Sequence, residues 1–357
     1  MPIRSLARPV VVLLAFGLVF AASHASFGQV GASGAEGSAQ NLGQWESALQ
    51  SDLIAEKFES LDSTADHLRA EKTRLPGGDW QLRIFYTALD APQQTEQDSS
   101  EHIAHLEHWM SQRPTSITAR VALATALTRW AWVARGNGLA NTVTPEGWRL
   151  FGERIKEAQV ILEGSAKMPT MCPQWFLAMM TVGNAQGWDT ARMHQILEDG
   201  IKFEPAYYYL YLRYANYLLP KWHGRPGDAS SFAGSSADAL GGDGGDILYF
   251  QIATNLIKRG DDSFPVHEMD WQRIQRGYRA LTSQYGTARR TENELAFMAW
   301  KFQDASVARQ QFALIGENWG RGVWRDRNYF DRARDWAQAP TAAPLPGQQS
   351  GQGHPPE

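Results

Sequence analysis

Residues Pro173 to Gly224 read PQWFLAMMTVGNAQGWDTARMHQILEDGIKFEPAYYYLYLRYANYLLPKWHG. Apolar residues recur here at helical spacing, and the run is broken at Gly187-Trp188 and again at Glu204-Pro205. Glycine and proline at such points end helices, so the stretch predicts three helices in succession, each with an apolar face. It contains no metal-ligand signature and no nucleophile beside an evident base.

The same grammar extends in both directions. Upstream, Trp45, Leu49, Leu53, Phe58 and Leu61 lie near helical spacing, and Asp62-Ser63 offers caps for a second helix. Asp79 is placed to cap the helix carrying Trp80, Ile84 and Phe85, and Asp98-Ser99-Ser100-Glu101 has capping-box spacing. Thr144-Pro145-Glu146 opens another helix with proline in its first turn. Downstream, helices are expected over 228–239, 247–258, 269–284, 291–302, 306–316 and 325–336. No run of residues alternates as a strand would. The chain therefore reads as all-α, a helical-repeat domain over 44–336. A Gly/Ser/Ala-rich flexible leader precedes it at 26–43, and a Pro/Gln/Gly-rich disordered tail follows at 337–357. Short connectors make consecutive helices antiparallel neighbours.

A degenerate repeat runs through the helix pairs. Met193, Leu197, Gly200 and Pro205 have spacings that Ala158, Leu162 and Ser165 follow in part, as do Ala308, Phe312 and Ile315. A small residue lets two helices approach and a larger one fills the gap to the next pair. These offsets resemble the second helix of a tetratricopeptide repeat. The expected architecture is a tetratricopeptide-like array of antiparallel helix pairs, either an α-solenoid or a more irregular helical bundle.

Composition narrows the class. A formal charge of -4 gives no basic excess, which argues against a nucleic-acid binder. Arg4 and Arg8, the apolar run Val10 to Ala22 and the small residues of Ser23-His24-Ala25 form a signal-peptide pattern over 1–25. The run is short for a membrane span, so membrane contact is expected only if this segment stays uncleaved. The expected destination is the periplasm or the exterior. Cys172 is the single cysteine, so no internal disulfide is possible and a buried or capping role is expected.

Three patterns carry potential chemistry. His102, His105 and His108 lie three apart on one helix, a spacing that drifts around the axis and suits a polar face better than a shared metal. Gly241-Gly242-Asp243-Gly244-Gly245-Asp246-Ile247-Leu248-Tyr249 matches a calcium nonapeptide, but once only, and a loop capped by Asp246 accounts for it without calcium. Gly136-Asn137-Gly138 lacks the strand and the Gly-Lys-Ser of a nucleotide loop. No catalytic residue, metal or cofactor is assigned. The candidate groove comprises Trp132, Arg135, Trp188, Tyr207, Tyr211, Lys221, Trp222, His223 and Arg225. Such aromatics pack helix interfaces in most proteins, but four tyrosines within 207–211 cannot all face inward.

Four blocks, Ala131-Trp132-Val133-Ala134-Arg135-Gly136, Gln186-Gly187-Trp188, Glu204-Pro205-x-Tyr207 and Leu218-Leu219-Pro220-Lys221-Trp222-His223-Gly224, resemble the signature of domain-of-unknown-function family 4034, over roughly 58–256. The resemblance implies a helical fold and a bacterial source, and it implies no reaction. The functional expectation is an exported helical-repeat protein that binds a protein or peptide partner in the envelope. The alternative is a periplasmic enzyme or small-ligand binder with a pocket around Trp132, Arg135, Trp222 and His223.

Overall fold

The computed structural model describes residues 32–90, 95–136, 138–259 and 264–340, with side chains from residue 41. Two compact units divide at Gln40, and the described part of the first is the start of α1. The helices are α1 (Ala32–Ile54), α2 (Phe58–Glu71), α3 (Gln81–Leu89), α4 (Glu96–Gln112), α5 (Ile117–Arg135), α6 (Pro145–Ser165), α7 (Pro173–Gln186) and α8 (Thr190–Phe203). They continue with α9 (Tyr209–Tyr217), α10 (Asp228–Leu240), α11 (Gly242–Arg259), α12 (Trp271–Tyr285), α13 (Arg289–Lys301), α14 (Ala305–Ile315) and α15 (Arg327–Gln338). Among the described residues there is no strand, only an isolated bridge between Arg74 and Trp80. No described helix is long and apolar enough to cross a membrane.

The expected all-α class is what the structure shows, and the three helices of 173–224 are α7, α8 and α9. Gly187 ends α7 in the left-handed region at φ 67°, and Asp189 caps α8 by accepting from the Arg192 amide. From α4 onward each helix packs on its successor. Every second helix also meets the next but one: α5 with α7, α7 with α9, α9 with α11, α11 with α13, α13 with α15. The small-large offsets lie on buried faces: Ala158, Leu162, Met193, Leu197, Ala308 and Phe312 are all in the core. At Gly200 an added Cβ would lie 2.7 Å from Leu210 and 3.1 Å from Phe176, so α8 meets α7 and α9 where only glycine fits.

Several local expectations give way. Helix α1 starts at Ala32, so 32–43 is helical rather than a flexible leader. Asp62 does not cap a second helix, because α2 runs through it. Its buried carboxylate accepts from the Ser116 hydroxyl and, at 3.1 Å, from Arg113. The capping box of α4 is Thr95 with Asp98. Helix α11 starts at Gly242, placing Asp246 a turn inside, where Arg273 (2.9 Å) and Arg276 (3.0 Å) take both carboxylate oxygens. That carboxylate serves helix packing in place of the expected cap. Helix α15 reaches Gln338, just into the expected tail. The signal segment 1–25 and residues 341–357 lie outside the described residues.

The turn between α2 and α3 runs back into the body of the fold. Trp80 is buried, its indole donates to the Ala206 carbonyl at 3.1 Å, and the Arg74 guanidinium lies 3.8 Å over its ring. Arg74 also donates to the Ala206 carbonyl at 2.9 Å. At the tip of the turn the Gly77 amide donates to the Gly286 carbonyl at 3.1 Å. Gly77 has φ 80°, and an added Cβ would lie 2.7 Å from that of Ala288. Residues 73–80 thus wedge between the start of α9 and the α12–α13 connection.

Candidate binding cleft

Helix α9 supplies the floor. Arg213, Asn216 and Tyr217 stand at i, i+3 and i+4, the spacing of one helix face. Together with Asn184 of α7, Arg259 at the end of α11, and Leu219, Lys221 and Trp222 from the loop after α9, they line a cavity of about 270 Å³.

The loop is tightly folded. Trp222 donates its amide to Leu219 at 2.8 Å and His223 donates to Tyr217 at 3.2 Å. At Gly224 an added Cβ would fall 1.8 Å from the Leu218 carbonyl oxygen. This closure presents Lys221 and half-exposed Trp222 at the cavity rim. The Lys221 ammonium donates to the Arg259 carbonyl at 2.7 Å, satisfying a free carbonyl at the last residue of α11.

Arg213 is the unusual member. Among the described residues its guanidinium has no carboxylate partner and donates no hydrogen bond. Burial, with Arg259 and Arg83 adding repulsion, pushes it down to about 10. At neutral pH it therefore remains a cation, half-buried on the cavity wall with Arg259 and Arg83 near it. Such a group is costly unless something outside the chain compensates it.

A second cavity of about 530 Å³ adjoins the first and shares Arg259 with it. The wall between them carries a hydrogen bond from Asn255 Nδ2 to Asn216 Oδ1 at 3.0 Å. This second lobe is charge-paired. Arg290 bridges Asp79 at 2.9 Å and Glu294 at 2.8 Å, Lys258 adds a contact to Glu294 at 3.2 Å, and Tyr208 and Tyr209 both donate to Asp79, at 2.7 and 3.1 Å. Asp79, expected as a cap, instead joins the wedge to α9 and α13. Burial works against the charge on Arg290, but Glu294 and Asp79 outweigh it and hold the guanidinium above its ordinary range. Burial raises Tyr208 and Tyr209, keeping both as donors at neutral pH.

The candidate groove residues divide. Lys221 and Trp222 line the first cavity. Trp188 and His223 support it from behind, because the Tyr217 hydroxyl donates to the Trp188 carbonyl at 2.8 Å and the His223 ring stacks on the Tyr217 ring at 4.3 Å. Trp188 itself is buried under Arg192, whose guanidinium lies 3.3 Å from the ring centre. Tyr207 is fully buried and donates to Gln174 at 2.7 Å, and buried Tyr211 donates to the Pro205 carbonyl at 3.2 Å. Arg225 is exposed beside Asp228.

Trp132 and Arg135 do not line the cavity. Arg135 sits between the rings of Trp132 and Trp148, 5.4 Å from each, and donates to the Gly136 and Gly138 carbonyls at 3.0 Å, clamping the α5–α6 connection. Trp132 and Arg135 are thus engaged at the α5–α6 connection and are not among the residues that line the cavity with Lys221 and Trp222.

Sequence reasoning missed Arg213, Asn216, Arg259 and the α11 stripe Gln251, Thr254, Asn255 and Lys258. The signal was available. That stripe recurs at i, i+3, i+4 and i+7 on an otherwise apolar helix. A polar stripe of that kind reads as a solvent face until the neighbouring helices are known to enclose it.

Around His102 the structure gathers no metal site, and no group of three or more His, Cys, Asp or Glu side chains among the described residues could hold a metal ion. Burial depresses His102 to about 4, with Arg129 adding to the effect, and its Nε2 has no partner. His108 lies 3.5 Å from Glu56. Cys172 is buried at the start of α7, with its Sγ 3.5 Å from the Tyr86 hydroxyl.

Residues 47–188 match the family model of a domain of unknown function, DUF4034. The DUF4034 segment spans the last third of α1, α2 to α7 and the Gly187-Trp188 turn, so it contributes Asn184 and the Trp188 carbonyl to the cleft. The α9 floor, the 218–224 loop and α11 lie beyond it, and the match ends short of the 58–256 span of the resemblance. No curated protein and no solved structure matches the chain.

Proposed function

We propose that the chain is a ligand-binding protein whose two-lobed cleft, between α9, α11 and the 218–224 loop, captures an anionic small molecule. The observation that carries this reading is Arg213, a cation on the wall of a cavity without a counter-ion among the described residues. Arg259 and Lys221 stand on the same wall, and among the described residues no carboxylate does. In a partly dehydrated site an anion gains more from such groups than it would in water. The signal-like segment at 1–25 supports placing this activity in the envelope of a bacterium. The alternating helix contacts support a tetratricopeptide-like order of pairs.

Calorimetric titration of the full chain with sodium phosphate, sulfate and acetate at low ionic strength tests the proposal. At least one anion should bind to the unaltered chain and fail to bind to Arg213→Met. Equal response of both proteins to all three anions would refute it.

Capture of a protein partner is a second reading, favoured by the exposed corner of Trp148, Leu139 and Val133 at the α5–α6 connection. A photo-crosslinker at Leu139 that joins no envelope protein would dismiss it. The wedge at 73–80 speaks against a peptide lying along the helix array at that point, because the chain's own turn already lies against α9.

A further inference from the structure

The character of the anion can be read from how the two lobes differ. In the first lobe three cations, Arg213, Arg259 and Lys221, face a cavity without a carboxylate on its wall among the described residues. A single carboxylate would leave most of that charge uncompensated. A phosphate group brings up to two charges and three terminal oxygens, which suit guanidinium forks approaching from different directions. Asn216 adds to this: its Oδ1 accepts from Asn255, so its amide nitrogen remains available as a donor.

The second lobe is mixed in charge. Its carboxylates Asp79 and Glu294 are paired with Arg290 and Lys258, and Arg83 and the shared Arg259 line it as well. Beside these charges it offers neutral polar groups. Gln251, Thr254 and Asn255 project from α11 along one stripe, and the Thr254 hydroxyl is buried without a partner. An unpaired buried hydroxyl beside a cavity is a place for a ligand hydroxyl. The first lobe exceeds the size of an inorganic ion, and the shared Arg259 makes the second its continuation. Trp222 at the rim provides a flat apolar face for a ring.

We infer that the ligand is a phosphate monoester of a polyhydroxylated body, with the phosphate held by Arg213 and Arg259 and the hydroxyls directed along Gln251 and Thr254. This rests on the anion-binding reading above and adds the identity of the charged group and of the body attached to it.

The test is calorimetric titration of the full chain with four probes: glucose 6-phosphate, gluconate, glucose and inorganic phosphate. Glucose 6-phosphate should bind at least tenfold more tightly than each of the other three. Thr254→Val should weaken glucose 6-phosphate at least fivefold and leave inorganic phosphate unchanged. Arg213→Lys should weaken both, with an unaltered circular dichroism spectrum showing that the variant is folded. If gluconate matches glucose 6-phosphate, the phosphate assignment is wrong while anion binding stands. If inorganic phosphate matches it, or Thr254→Val has no effect, the polyhydroxylated body is wrong. If no anion in either panel binds, both readings fall.

Discussion

The hydroxyl of Tyr217 donates to the backbone carbonyl of Trp188 at 2.8 Å, tying the last residue of α9 to the turn that ends α7. Both groups are buried, and the same tyrosine ring is stacked on His223. Removing the hydroxyl leaves a carbonyl without its partner. Tyr217→Phe should therefore cost about 1–2 kcal/mol of stability. A lower urea midpoint at unchanged slope would show it, and an unchanged midpoint would contradict the role assigned to this bond.

Gly224 closes the loop that presents Lys221 and Trp222. Its own φ is not in the left-handed region, so the constraint is contact with the Leu218 carbonyl rather than strain. Gly224→Ala should force the loop open at a cost of about 1–3 kcal/mol. It should also shift the Trp222 fluorescence spectrum, which a crystal structure of the variant can trace to loop movement. A spectrum and melting temperature equal to those of the unaltered chain would contradict the tight closure.

Asp79 accepts from Tyr208, Tyr209 and Arg290 at once, so it holds the 73–80 wedge against α9 and α13. Asp79→Asn keeps the size and removes the charge. The loss should be about 1.5–3 kcal/mol, the scale of hydrogen bonds to a charged group. Faster hydrogen exchange at the Gly77 and Trp80 amides should accompany it, because those amides are bonded across the same junction.

His102 sets an acid limit. Its folded value of about 4 lies below the ordinary histidine value near 6.5, so the unfolded chain takes up the proton first. Its contribution is complete above about pH 6.5 and is lost as pH falls from there towards 4. The groups facing it are Arg129 and His105, together with the Leu89 carbonyl that accepts from it. Melting temperatures across pH 7 to 4 should fall less steeply for His102→Gln than for the unaltered chain. Parallel curves would show that His102 does not contribute.

The fold class was legible because helices announce themselves in single sequences. Gly187 and Pro145 stood where helix ends needed them, and the structure uses both. Acidic residues were harder to place. Asp62, Asp79 and Asp246 all sit near helix starts in the sequence, yet the structure spends each carboxylate on a long-range partner. Capping depends on residues three apart, whereas those partners lie 27 to 129 residues away. The cleft was half legible. Lys221 and Trp222 were visible as an odd, polar helix stop, but Arg213 was hidden among tyrosines, and only the fold shows that no acid among the described residues reaches it.

The wedge of residues 73–80 bears on where this protein can be cut. The turn belongs to the segment that matches DUF4034, but Ala206, Tyr209 and Gly286, the groups it docks on, all lie beyond residue 188. A fragment ending at residue 188 would leave the indole of Trp80 and the amide of Gly77 without the partners they have in the whole chain. The sequence-defined segment and the physical folding unit therefore have different borders. The contact between Gly77 and Gly286 joins residues 209 positions apart and can form only after most of the intervening helices exist. That makes it a late, whole-chain checkpoint: a truncated or partly synthesised chain would display an unseated tryptophan, and a complete one would hide it.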